Sequence, residues 1–146
     1  VKKIGKSLFA ALLLCAPASQ AFAQDAGDAA AGETVFKKCM ACHRVGDGAK
    51  NLVGPQLNNV IGRAAGTAEG FRYSDINKHA GEAGLVWTPE HIVEYLPDPQ
   101  GYLTKFLEDA GKADMAKGRT KMAYKLKDEK DRKDVVAYLQ KFSEKK

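Results

Sequence analysis

Cysteine, tryptophan and long apolar runs are all scarce in this sequence. Three cysteines and one tryptophan are spread over 146 residues, too few thiols for the multi-bridge framework of a small disulfide scaffold. The apolar run Leu8 to Ala16 falls far short of the ~20 residues that a membrane-spanning helix needs. Charge of one sign is lacking too, since 23 Lys+Arg stand against 18 Asp+Glu. A hydrophobic content of 45% and a mean hydropathy of −0.37 exclude both a disordered chain and a multi-span membrane protein. What remains is an ordinary globular composition, with length for one domain.

Residues 1–23 read as a secretory signal peptide. Lys2, Lys3 and Lys6 form its basic start, Leu8 to Ala16 its apolar centre, and Ala21-Phe22-Ala23 a small-x-small cleavage site. A retained anchor is disfavoured by the shortness of the apolar run, and Leu14 before Cys15 disfavours lipoprotein processing. The expected mature chain, residues 24–146, begins at Gln24 and is exported to the periplasm. Cleavage deletes three lysines and no acids, leaving 20 Lys+Arg against 18 Asp+Glu, a formal +2. So balanced a chain is a poor non-specific binder of nucleic acid.

Cys15 leaves with the signal, and the exported chain keeps Cys39 and Cys42 within Cys39-Met40-Ala41-Cys42-His43. Cys-x-x-Cys-His is the attachment signature of a c-type haem. Two thiols three positions apart on a helical turn can each add to one vinyl group of the same porphyrin edge, and the adjacent imidazole then reaches the iron. A zinc site would need two further Cys or His ligands, and the other histidines, His79 and His91, are far away. A thioredoxin-like redox pair would need strands alternating with helices, for which the pattern gives little support.

The periodicity is helical with long connections. Asp28 is a candidate N-cap for a helix running to Cys42, with Val35, Phe36 and Cys39 on its apolar face. Thr88-Pro89-Glu90-His91 is a helix start followed by apolar Ile92, Val93 and Leu96. Short helices are expected over Ser74 to His79 and Gln100 to Asp109, and a last one over Asp128 to Phe142, carrying Val135, Tyr138, Leu139 and Phe142 on one stripe. Eight of the thirteen glycines beyond residue 23 lie between Arg44 and Val86. A structureless stretch that long is unusual in a small domain unless it wraps a rigid body, and a haem is such a body.

A haem iron needs a sixth ligand. Met40 lies inside the attachment motif, which leaves Met115 and Met122. Most methionines fill gaps in cores, and the residues alone do not choose between these two, although the charged neighbours of Met115 suit an exposed side chain.

Four blocks carry a resemblance to a known family: Gly32 through Phe36 leading to Cys39-Met40-Ala41-Cys42-His43; Val53-Gly54-Pro55-Gln56-Leu57 with Ile61-Gly62-Arg63; Gly70-Phe71-Arg72-Tyr73-Ser74 onward to Trp87; and Thr120-Lys121-Met122. In this order the chain from about Gly32 to its end resembles a class I cytochrome c of the soluble bacterial c2 type. The resemblance implies an all-α fold, its terminal helices crossing and its long loops wrapped around one covalently bound haem c.

It also implies roles for individual residues. Cys39 and Cys42 match the thioether anchors, and His43 and Met122 the iron ligands. Pro55 matches the carbonyl that fixes the histidine ring. Arg63, Tyr73 and Trp87 match donors to the haem propionates, and Thr120 a further donor near the distal loop. Asn77 and Tyr95 match distal-side positions, Tyr95 facing the methionine sulfur. Gly32 and Phe36 against Tyr138 and Leu139 match the crossing of the terminal helices. One departure stands out: between Tyr102 and Thr120 the chain is longer than the mitochondrial form, which leaves the shape of the distal loop open.

A haem held by His and Met has no open position for oxygen or peroxide, so the implied function is one-electron transfer rather than catalysis. The implied partners are a quinol-oxidising cytochrome bc complex as donor and a photosynthetic reaction centre or terminal oxidase as acceptor, met by a monomer. Lys117, Arg119, Lys121, Lys125 and Lys127 form an acid-free basic stretch, whereas Asp25, Asp28 and Glu33 lie in a segment without bases. That asymmetry suits a Lys-rich docking face. A haem peroxidase or reductase would instead need a displaceable ligand beside acid–base residues, and a haem-storage module would show no fast exchange with partners.

Overall fold

The computed structural model describes residues 26–143, so the segment read as an export signal lies outside the described residues. Five α-helices form among them: α1 (Ala29–Phe36), α2 (Asp75–Glu82), α3 (Pro89–Tyr95), α4 (Pro99–Asp109) and α5 (Glu129–Gln140), with a 3₁₀ turn at Ala113–Met115. Among the described residues the pairing of strands is limited to one isolated antiparallel bridge, Ala64 to Val86. This is the all-α class that the periodicity predicts, and no helix among the described residues is long and apolar enough to cross a membrane.

The helix starts follow local chemistry. Asp28 accepts from the N–H groups of Ala30 and Ala31, Thr88 from His91 with Pro89 at the first helical position, and Asp128 from Asp131. Each satisfies donors that a helix leaves unpaired at its beginning. The first helix ends at Phe36, six residues before the predicted end at Cys42. From there the backbone tightens into three-residue bonds, Lys38 to Val35 at 3.0 Å and Cys39 to Phe36 at 2.8 Å, which turn the two cysteines out of the regular helical track.

Helices α1 and α5 cross at close range. A Cβ on Gly32 would lie 1.9 Å from the Asp134 carbonyl oxygen and 2.9 Å from Tyr138 Cβ, so only glycine lets the two backbones meet there. Phe36 and Tyr138 then pack with ring centroids 5.4 Å apart. Val35, Val135 and Leu139 join the same buried cluster as Ile76, Leu85, Leu103 and Leu107, so one core ties the terminal helices to α2 and α4.

Long connections fasten to this frame by backbone bonds. Leu57 N–H donates to Arg44 O, Asn59 N–H to Phe142 O and Gly62 N–H to Trp87 O, which closes the glycine-rich loop around one side of the molecule. The stretch returning from the 3₁₀ turn to α5 is held by Leu126 N–H on Leu96 O and by the Lys125–Asp98 ion pair at 2.8 Å. Between these two loops lies the functional cavity.

Candidate haem site

The turn after α1 sets the first wall. His43 N–H donates to Cys39 O at 2.9 Å and Cys42 N–H to the same oxygen at 3.0 Å, and the coiling brings both thiols and the imidazole onto one cavity. Both cysteines are free and half-buried. Burial pushes the Cys39 thiol up to about 11, against a smaller opposing pull from the Lys38 ammonium.

His43 is fixed on two sides. Its Nδ1–H donates to Pro55 O at 2.7 Å; a carbonyl can only accept, so the proton sits on Nδ1 and Nε2 keeps its lone pair. Gly54 lies flat against the ring, and a Cβ there would meet His43 Cε1 at 2.4 Å. Burial holds the imidazole pKa below its ordinary value, outweighing the Pro55 bond, and so favours the neutral form in which an imidazole binds a metal.

The cavity has a volume of about 400 Å³. Eleven residues given a role about the haem by the resemblance line it: Cys39, Cys42, His43, Pro55, Arg63, Tyr73, Asn77, Trp87, Tyr95, Thr120 and Met122. Met122 is half-buried and packs against the core, whereas Met115 does not reach the cavity. The charged neighbours of Met115 predict an exposed side chain. It is half-buried instead, because the 3₁₀ turn is drawn inward where His79 Nδ1–H donates to Met115 O at 3.0 Å.

Several polar groups of the wall have protein partners. Arg63 donates to Gln56 O at 3.1 Å and Asn58 O at 3.3 Å, while burial lowers its pKa. The Tyr95 hydroxyl, pushed up to about 12 by burial, makes side-chain bonds with Thr120 and Asn77, so it reaches the Met122 loop through Thr120. Trp87 and Tyr95 pack edge to face at 4.7 Å. Lys121 Nζ donates to Arg72 O and lies 5.6 Å above the Phe71 ring, tying the two loops together across the cavity.

Two thiols, one imidazole nitrogen and one thioether on a mostly apolar wall are the donor set of a c-type haem, and the glycine cradle behind His43 keeps the ring where that set needs it. The alternatives read from the motif find no support. Among the described residues no group of three His, Cys, Asp or Glu could hold a metal ion, and no strand–helix alternation supports a thioredoxin-like pair. Sequence reasoning missed Asn58, which exchanges bonds with Gly46 O and N–H, and Gln100, which bonds to Thr120 N–H and Gly118 O. Their signals are single polar side chains whose partners are distant in the chain.

Comparison with known proteins identifies the family. Residues 29–143 match the cytochrome c family, and the chain belongs to that family. Within it the similarity is to the cytochromes c2. Cytochrome c2 iso-2 of Rhodospirillum centenum is 70% identical over 117 residues, which are 80% of this chain and 97% of that protein. The solved structure of cytochrome c2 from the same organism has a TM-score of 0.80 at 69% identity, covering 81% of this chain and 100% of that one. The ferricytochrome c2 of Rhodopseudomonas palustris has a TM-score of 0.76 at 60% identity, covering 80% and 99% respectively. The fold is thus that of a class I cytochrome c, its cofactor is one covalently bound haem c, and the protein is an electron carrier rather than an enzyme.

Proposed function

We propose that the chain is an exported periplasmic carrier in which His43 and Met122 hold the haem iron. Its donor is a quinol-oxidising cytochrome bc complex and its acceptor a photosynthetic reaction centre or terminal oxidase. The observation that carries this reading is the meeting of both ligands with both thiols on one apolar cavity. Haem, once bound, supplies a couple between Fe(II) and Fe(III). Cys39 and Cys42 anchor it through thioethers. His43 presents Nε2, and the Pro55 carbonyl orients the ring and raises its basicity as a ligand. The soft Met122 thioether would favour Fe(II) and raise the potential, and with His43 it would leave the iron no site for oxygen. Arg63, Tyr73 and Trp87 would hold the haem propionates, with Thr120 as a further donor near the distal loop and Tyr95 beside it.

The basic stretch supports docking to an acidic partner. Lys117, Arg119, Lys121 and Lys127 are exposed, and Val53, 70% exposed, and Tyr124, 44% exposed, add apolar contact beside the cavity. Lys125 is half engaged by Asp98 and contributes less than its place in the sequence predicts.

The test is ligation. Met122→Ala abolishes the weak near-infrared sulfur–iron absorption of the ferric protein and lowers the potential, whereas Met115→Ala leaves both unchanged. The opposite pattern overturns the assignment.

A further inference from the structure

The longer segment between Tyr102 and Thr120 poses a mechanical problem. Helix α4 runs on to Asp109, the 3₁₀ turn follows at Ala113–Met115, and the chain then returns to the cavity at Thr120. An excursion of that length, exposed at Glu108–Asp114, would by itself transmit its motion to Met122 two residues further on.

One side chain spans both ends of the excursion. Gln100, in the first turn of α4, accepts the Thr120 N–H on Oε1 at 2.8 Å. Its Nε2 donates to Gly118 O at 3.2 Å and, more weakly, to Thr104 Oγ1 at 3.4 Å. A main-chain N–H can only donate and a carbonyl can only accept, so these two partners fix the orientation of the amide. Gly118 has φ +86°, a left-handed turn that glycine adopts without strain and that aims its carbonyl at Gln100. Beyond the clip, Thr120 Oγ1 accepts the Met122 N–H at 3.3 Å, and the buried Tyr95 hydroxyl holds the Thr120 side chain. A continuous set of bonds therefore leads from α4 to the backbone of Met122 without passing through the excursion.

We propose that Gln100 is a positioning residue for the Met122 ligand, clipping the return of the inserted segment to α4 so that Met122 is registered on the helical frame. The proposal rests on the reading that Met122 ligates the iron. Gln100 is not in the attachment chemistry, so its loss leaves haem loading intact and weakens the hold on the sulfur against a competing ligand.

The experiment uses the holoprotein, with imidazole as the competing ligand and loss of the near-infrared sulfur–iron band as the readout. Gln100→Leu keeps the bulk and removes all three bonds; it binds imidazole about tenfold more tightly than wild type, equivalent to about 1.4 kcal/mol, with unchanged helical circular dichroism. Gln100→Glu keeps an acceptor for Thr120 N–H but loses the donor to Gly118 O, and falls between the two. Lys105→Ala, on the exposed face of the same helix, matches wild type. If Gln100→Leu loads haem poorly, Gln100→Glu carries the comparison. Wild-type imidazole affinity in the variants, with or without a lower melting temperature, overturns the clip when the band is present in wild type and absent in Met122→Ala. Absence of the band from wild type, or its survival in Met122→Ala, instead overturns the ligand assignment beneath it.

Discussion

The backbone N–H of Asp28 donates to Oδ1 of Asp134 at 2.7 Å, joining the start of α1 to α5 across 106 residues of sequence. Asp134 is buried, and its other oxygen takes Lys130 Nζ at 2.5 Å. One carboxylate thus fixes the crossing that seats the turn of Cys39 and Cys42.

Removing that carboxylate destabilises the fold before it alters the haem. Asp134→Ala loses both bonds and costs about 1.5–3 kcal/mol at neutral pH, the range for hydrogen bonds to a charged group. Asp134→Asn retains an acceptor for Asp28 N–H and costs less. The Lys130 and Asp28 contacts hold the Asp134 pKa below its ordinary value. Its stabilisation is therefore complete above the ~3.9 of an unfolded Asp and is lost as pH falls through the lower folded value. Denaturant melts from pH 7 to pH 2 check this: the gap between wild type and Asp134→Asn narrows only at the acid end.

The glycine behind the His43 ring is open to a direct test. Gly54→Ala places a methyl where His43 Cε1 lies 2.4 Å away, and the ring can escape only by leaving Pro55 O. Overpacking of this kind costs about 1–3 kcal/mol. The expected outcome is a lower melting temperature together with a shifted reduction potential. A potential equal to wild type would show that the imidazole does not depend on this cradle.

Much of this arrangement is legible in the sequence because its causes are local. The Asp28, Thr88 and Asp128 caps, and the placing of Cys39, Cys42 and His43 on one turn, each need only a few consecutive residues. Elsewhere a local signal points the wrong way. Gly81 reads as a loop residue, yet α2 continues through it to Glu82, because a Cβ there would sit 2.0 Å from Ala65 O. The glycine serves a close approach of helix and loop, and its helical penalty of about 1 kcal/mol relative to Ala is offset by that packing. The bonds from Gln100 to Thr120 and from Asp134 to Asp28 have no periodicity or motif, since each depends on where the rest of the chain has already gone.

Export is checked by mass. The expected holoprotein begins at Gln24, cyclised or not, carries one haem, and is recovered from the periplasmic fraction. A measured mass that retains residues 1–23, with the protein in the membrane fraction, revives the anchor.

On the proposed docking face the basic residues are not equivalent. Lys121 ties the cavity loops together through Arg72 O and Phe71, and Lys125 is paired with Asp98, so reversing either also disturbs the fold around Met122. Arg119 and Lys127 are exposed and give the cleaner test. Arg119→Glu and Lys127→Glu should each slow second-order oxidation by an acidic partner while leaving the haem spectrum unchanged, since rim charges act chiefly on association rate. Salt should act on wild type in the same direction, because the Debye length falls from about 30 Å at 0.01 M to about 8 Å at 0.15 M. The double reversal should flatten or invert that salt dependence. Stopped-flow rates that ignore both ionic strength and these substitutions would leave the basic stretch as solvated surface and move the docking face elsewhere.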